Sequence, residues 1–146
     1  MQNLNILNTR EIKKILNLLN EQFGFEDKLN YVFLQNKDGK IFIINKDIQE
    51  VDLTKLRINS LGLYFGKIEK DGLRLSIEGS QLIGNKSKKN VIKLDDNQVK
   101  EWMAGEVLEI KDYKGFVIIK HKNDFLGCGK AKEDRILNFV PKTRRL

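Results

Sequence analysis

Cysteine, histidine, proline and tryptophan occur once each in this 146-residue chain. A single cysteine excludes an internal disulfide and fits a reducing interior, so the expected location is cytoplasmic. One cysteine plus one histidine falls short of the ligand set a structural zinc takes, so no metal site is expected. No apolar run approaches the ~20 residues a membrane span needs, so no membrane association is expected. The opening MQNLNILNTR has neither the basic stretch nor the apolar stretch of a secretory signal. Neither GxGxxG nor GxxxxGK[ST] occurs, which removes the dinucleotide and P-loop signals, and no cofactor is expected.

What the chain does have is charge. It is 40% hydrophobic and 32% charged, a globular composition large enough for one domain or two small ones. The net charge is +7, and it is unevenly placed: residues 1–60 carry +1 and residues 61–146 carry +6. A basic half beside a neutral half points to a polyanionic partner for the C-terminal part. The charge is densest at the end. Residues 125–146, FLGCGKAKEDRILNFVPKTRRL, carry Lys130, Lys132, Arg135, Lys142, Arg144 and Arg145 against Glu133 and Asp134. Ile136, Leu137, Phe139 and Val140 run between them, so this segment has an apolar face to dock, as a loose polycationic tail does not.

Local patterns give an order of elements. Asn8 or Thr9 caps a first helix, with Glu11 three residues after Asn8; Ile12, Ile15, Leu16, Leu19 and Phe23 form one stripe, and Gly24 ends it. YVFLQ and KIFII flank NKDG as a hairpin. Residues 46–58 read as a short helix or turn before a joint near Asn59. Two β-like runs follow in SLGLYFGKIEKDGLRLSIEG, with Gly62 and Gly66 suggesting a bulge or close crossing. GSQLIG reads as one helical turn and NKSKKN as an exposed basic loop. After the VIKL strand, Asp95 and Gln98 box the start of a helix whose inner face is Val99, Trp102 and Met103, stopped by Gly105. EVLEI, GFVIIKHK and FLGCGK read as strands. Many short strands with two or three short helices predict a small mixed β-barrel.

The segments GLYFGK (62–67), RLSIEG (74–79), WMAGE (102–106) and LGCGKA (126–131) together resemble a PUA domain, the small RNA-binding barrel named for pseudouridine synthases and archaeosine transglycosylases. The layout of a small α/β half followed by GLYFGK resembles the pre-PUA/PUA ribosome-biogenesis factors of the Nip-seven type, found in archaea and eukaryotes. The tail LGCGKAKEDRILNFVPKTRR is similar to the PUA-like end of RsmF-type rRNA cytosine methyltransferases, with Cys128 in place of an aromatic and Phe139-Val140-Pro141-Lys142 in place of a tyrosine version. The resemblance implies an α+β protein: a small α/β pre-PUA-like domain over 1–59, then a PUA-like mixed β-barrel over 60–146. It also implies a non-catalytic RNA-binding role on rRNA or tRNA, in ribosome biogenesis or RNA modification. The neutral N-terminal half is then a candidate surface for a modification enzyme or biogenesis factor.

The residues themselves supply the candidate contacts. Arg74, Lys130, Lys132, Arg135, Lys142, Arg144 and Arg145 form the expected phosphate surface, the arginine forks being suited to phosphate or to an unpaired base. Tyr64 is a stacking candidate, since Tyr64 and Phe65 point to opposite sides of a strand. Lys86, Lys88 and Lys89, without an acidic neighbour until Asp95, form a secondary contact. Gly127 and Gly129 either let a sugar-phosphate chain approach or relieve crowding. Trp102 and Met103 fit core packing better than base stacking, and Phe23, Phe25, Phe33 and Phe42 are expected in the core of the first half. Two other functions stay open: an adaptor docking on an acidic subunit of an RNA-modification complex, and a small RNA-processing enzyme using Cys128. The spacing gives no support to a catalytic pair of Cys128 with His121, and a half-buried thiol fits Cys128 better.

Overall fold

A computed structural model describes residues 4–46 and 62–146. The expected turn over 46–58 and the joint near Asn59 therefore lie almost wholly outside the described residues. A short strand β1 (Asn5–Ile6) precedes helix α1 (Thr9–Phe23). Asn8 is its N-cap, accepting from the Glu11 amide at 2.9 Å while the Asn8 amide donates to the Glu11 carboxylate at 3.1 Å. Gly24, at φ +63°, closes the helix in the left-handed conformation only glycine adopts without cost. Ile15, Leu19 and Phe23 are buried, so the predicted stripe is the docked face.

Strands β2 (Tyr31–Gln35), β3 (Lys40–Asn45), β4 (Leu63–Glu69) and β5 (Gly72–Leu75) follow, and with β1 they make an antiparallel sheet in the order β1-β2-β3-β4-β5. The NKDG turn forms as expected. Asn36, almost fully buried, accepts from the amides of Asp38 at 3.0 Å and Lys40 at 2.9 Å. The register shifts between Ile41 and Phe42, where β3 meets Gly66. A Cβ on Gly66 would lie 2.6 Å from the Arg74 carbonyl oxygen, so the glycine serves the close crossing expected of it. Three strands of this sheet come from before residue 59 and two from after, so a line drawn at 59/60 crosses a continuous sheet.

The second β-like run ends earlier than expected. Ser76 leaves the strand to cap helix α2 (Ile77–Ile83), its hydroxyl accepting from the Gly79 amide at 2.8 Å. A 3-10 turn (Gly84–Lys86) leads to β6 (Val91–Lys93) and helix α3 (Asp96–Met103), capped by Asp95 with Gln98 answering. Then come β7 (Leu108–Glu109), β8 (Gly115–His121), β9 (Asp124–Lys132) and β10 (Arg135–Asn138), ending in a 3-10 turn at Lys142–Arg144. Only two residues of EVLEI are strand. The second sheet runs β6-β8-β9-β10-β7, with β6 parallel to β8 and the other pairs antiparallel.

Sheet two is packed on both faces. Phe116, Ile118, Phe125 and Cys128 join α1 and sheet one in the larger core with Leu19, Phe23, Phe33 and Phe65. Val117, Ile119, Ala131 and Ile136 pack on the other face against Trp102, Leu108 and Val140. Trp102 is fully buried, so it packs and does not stack on bases. Phe23, Phe25 and Phe33 are core residues as expected; Phe42 instead lies half-buried on the outer face of sheet one, beside Tyr64. The fold is α+β with a PUA-like barrel, the class expected from the sequence. No helix among the described residues is long and apolar enough to cross a membrane.

Candidate nucleic-acid interface

The outer face of sheet one is built by pairing. Phe42 lies opposite Tyr64, Lys40 opposite Lys67, and Lys67 opposite Arg74. The bulge keeps Tyr64 on this side while Phe65 turns inward and is fully buried. Tyr64 packs on Phe42 at 5.6 Å between ring centres, with the Lys40 ammonium 5.9 Å from its ring. Burial raises the Tyr64 phenol above its ordinary value, and neighbouring Arg74 opposes that shift. Arg74 pairs with Glu69 at 3.4 Å, and its guanidinium stacks over Phe139 at 4.6 Å.

Phe139 belongs to the terminal segment, which docks tightly. Asn138 donates to the carbonyls of Trp102 at 2.8 Å and Glu106 at 2.9 Å, and its own side-chain oxygen accepts from the Val140 amide at 2.8 Å. Val140 is buried; Arg145 Nε donates to the Val140 carbonyl at 3.1 Å, and the Leu146 amide donates to Met103 at 2.8 Å. The Arg145 side chain occupies the space above Gly105, where a Cβ would come within 2.4 Å of Nε. The chain end is thus seated, and Lys142, Arg144 and Arg145 are carried to the rim facing sheet one.

Between them lies a groove of about 480 Å3 whose wall includes Lys40, Tyr64, Arg74, Lys142, Arg144 and Arg145. Glu78 of α2 lines it too and pairs with Arg144. Four of the seven expected phosphate residues and the stacking candidate Tyr64 therefore share one cavity. The other three, Lys130, Lys132 and Arg135, do not line it. They sit on the β9–β10 ribbon, on the face opposite buried Ala131 and Ile136, which is also the face of Cys128 and Phe139 at the groove wall. Lys130 is bound to Asp71, whose carboxyl is held below its ordinary range by that ammonium. It lies 5.6 Å from the Phe116 ring.

The basic loop at 84–90 is placed elsewhere. Its backbone caps α1: the amides of Lys88 and Lys89 donate to the Phe23 carbonyl at 2.8 and 3.1 Å, and Asn90 holds Gln22. That docking brings Lys86 to Asp27 and Lys88 to Glu26, around a separate cavity of about 410 Å3. Both acids are held below their ordinary range by these lysines. The loop is not poor in acidic neighbours, as it is along the chain, because the fold supplies two from sixty residues away. Lys89 is exposed.

The glycines divide. Gly127 lines the groove, at φ +134°. Gly129 faces the core, where a Cβ would lie 2.8 Å from the Trp102 ring and 2.7 Å from Ile136. Cys128 is buried, and burial pushes its thiol up to about 12, far from nucleophilic at neutral pH. His121 bonds Asp96 at 2.8 Å and pairs across from Asp124, whereas Cys128 lies opposite Ile118, so the two are not a catalytic pair. Among the described residues no three of His, Cys, Asp and Glu gather to hold a metal. Sequence reasoning missed Lys40, Glu78 and Phe139 as groove residues. Lys40 and Glu78 are joined to the site by packing between distant segments, with no local signal. Phe139 lies in the terminal segment itself, but its place under the Arg74 guanidinium comes from that same long-range packing.

A PUA-like barrel carrying a cationic groove with aromatic walls is the class of module these features define. A family model, the Methyltransferase RsmF PUA domain, matches residues 89–146, which span all of sheet two and the docked tail. The chain is also similar to proteins named ribosomal RNA small subunit methyltransferase F. Against that of Vibrio cholerae it is 26% identical over 108 residues, covering 73% of this chain and 23% of the relative. Against that of Aeromonas salmonicida it is 30% identical over 90 residues, 60% of this chain and 19% of the relative. Against that of Aeromonas hydrophila it is 26% identical over 138 residues, 93% of this chain and 28% of the relative. The chain spans about a quarter of the length of the curated relatives it matches.

Proposed function

We propose that this chain is an RNA-binding module without chemistry of its own, acting in the cytoplasm in RNA modification or ribosome biogenesis. Its RNA is ribosomal, the small-subunit RNA that the relatives' name points to, ahead of tRNA. The groove between the outer face of sheet one and the docked tail takes the RNA. Lys40, Arg74, Lys142, Arg144 and Arg145 neutralise phosphate, and Tyr64 with the Arg74–Phe139 stack offers surface to an unpaired base. Lys132 and Arg135 extend the contact along the β9–β10 ribbon, and Lys130 joins once a phosphate competes with Asp71. Residues 1–59 and 60–146 act as a pre-PUA-like and a PUA-like unit that share sheet one, and α1 with the first strands is the surface offered to a modification enzyme or biogenesis factor.

The observation that carries this reading is convergence. Cations and an aromatic from positions 40, 64, 74, 142, 144 and 145 meet at one cavity, in a chain whose residues 89–146 match a PUA-domain family model. The test is ultraviolet crosslinking of the tagged chain in cells, followed by sequencing of the attached RNA. Ribosomal RNA enriched over an Arg74→Glu/Lys142→Glu variant is the expected result. Recovery of no RNA above background would defeat the proposal.

A further inference from the structure

Glu78 stands out in the groove. Among the described residues it is the one carboxylate lining a wall that holds five cations, and a carboxylate beside a phosphate track repels it. Anchoring of the tail does not need Glu78, because the Asn138 side chain donating to the Trp102 and Glu106 carbonyls, buried Val140 and the Leu146 amide donating to the Met103 carbonyl already fasten that segment to the body. The Glu78–Arg144 pair is itself exposed, at 32% and 45% of the side chains, and an exposed pair adds little to docking. It does present an acceptor and a donor side by side, next to two planar surfaces, Tyr64 and the guanidinium of Arg74 over Phe139. The cavity is the size of pockets that take small planar ligands.

We propose that this groove reads an unpaired guanine and that Glu78 is its specificity-determining residue, an inference that rests on the RNA-binding reading above. The base lies against Tyr64 and Arg74, and its Watson–Crick edge meets Glu78 and Arg144. Guanine alone among the four bases offers two adjacent N–H donors there, N1–H and the N2 amine, beside an acceptor, O6. The acceptor-only carboxylate of Glu78 takes the two donors and Arg144 donates to O6. Adenine and cytosine each offer that carboxylate one amine, and uracil one ring N–H, so each leaves part of the pair unmatched.

The experiment is a fluorescence-anisotropy titration of the full chain with a stem–loop RNA carrying one bulged nucleotide: guanine, inosine, adenine, cytosine or uracil. The guanine bulge is expected to bind about tenfold tighter than adenine, cytosine or uracil, the scale of one matched polar contact pair. Inosine, which lacks the N2 amine, should fall between. Glu78→Gln should bring the series to within about twofold, chiefly through loss of affinity for the guanine bulge, because the phosphate contacts do not involve the carboxylate. A series that binds but is flat, or a preference for another base, would overturn the guanine assignment and leave the RNA-binding reading standing. A guanine preference that survives Glu78→Gln would overturn the role of Glu78. Absence of binding to every RNA would overturn both.

Discussion

If the groove neutralises phosphate, affinity must depend on salt in a way its cation count sets. Five cations among the described residues line it, and engagement of four or five phosphates on single-stranded RNA contributes about −3 to the log–log slope. Raising salt from 50 to 200 mM then costs about 60-fold in affinity. Reversing Lys142, Arg144 and Arg145 to glutamate removes three of those cations and should make the slope shallower by about 2, so that the same rise in salt costs about 18-fold less affinity than in the unmodified chain. Arg145 also donates to the Val140 carbonyl, so thermal melting must accompany the titration to show that the tail stays seated. The matched control is Lys86→Glu with Lys88→Glu, which reverses charge at the second cavity, where both lysines already face Asp27 and Glu26. Its slope should equal that of the unmodified chain. A control that flattens the slope as much as the groove variant would refute the reasoning, because net charge and not the groove would then govern binding.

Burial of Cys128 makes a linkage prediction. The thiol is raised from 9.0 to about 12, so the neutral form is the one the core favours. Its contribution is complete below pH 9 and is lost as pH climbs toward 12, by about 1.4 kcal/mol per pH unit. Melting temperature between pH 9 and 11 should therefore fall more steeply in the native chain than in Cys128→Ala, and parallel curves would contradict the burial. Asn8→Ala removes the reciprocal cap of α1 and should cost about 1 kcal/mol, a drop of about 2–4 °C in melting temperature. Gly129→Ala places a methyl between Trp102 and Ile136 and should destabilise by about 1–3 kcal/mol in urea titration while leaving the RNA salt slope alone; a neutral substitution would mean that this glycine does not serve packing.

The elements legible in the sequence were those written in short-range chemistry. The capping boxes at Asn8 and Asp95 and the NKDG turn lie within a few residues of their partners, and the Gly66 crossing is marked by the glycine itself, although it meets Arg74 and Ile41 across strand pairings. The β9–β10 hairpin was harder to see, because its turn places Glu133 and Asp134 at positive φ with no glycine or asparagine to mark it. Ser76 read as a strand residue, since S-x-x-G carries no acidic capping partner three residues on. The candidate site was legible as a list of cations but not as a geometry. Asp71, Glu78, Glu26 and Asp27 reach their lysines and arginine across 59 to 66 residues of chain, and nothing local announces those pairs. Those pairs leave Lys86 and Lys88 already satisfied, and they leave Arg144 beside an acceptor.

The most direct test of the central claim is a backbone amide NMR titration of the labelled chain with a small-subunit rRNA stem–loop. Shift changes should concentrate at Tyr64, Arg74 to Glu78, Gly127 and Phe139 to Arg145, with residues 26–28 and 85–88 unmoved. Changes centred on the 85–88 loop, or a saturating RNA that leaves Tyr64 and the terminal segment untouched, would contradict it.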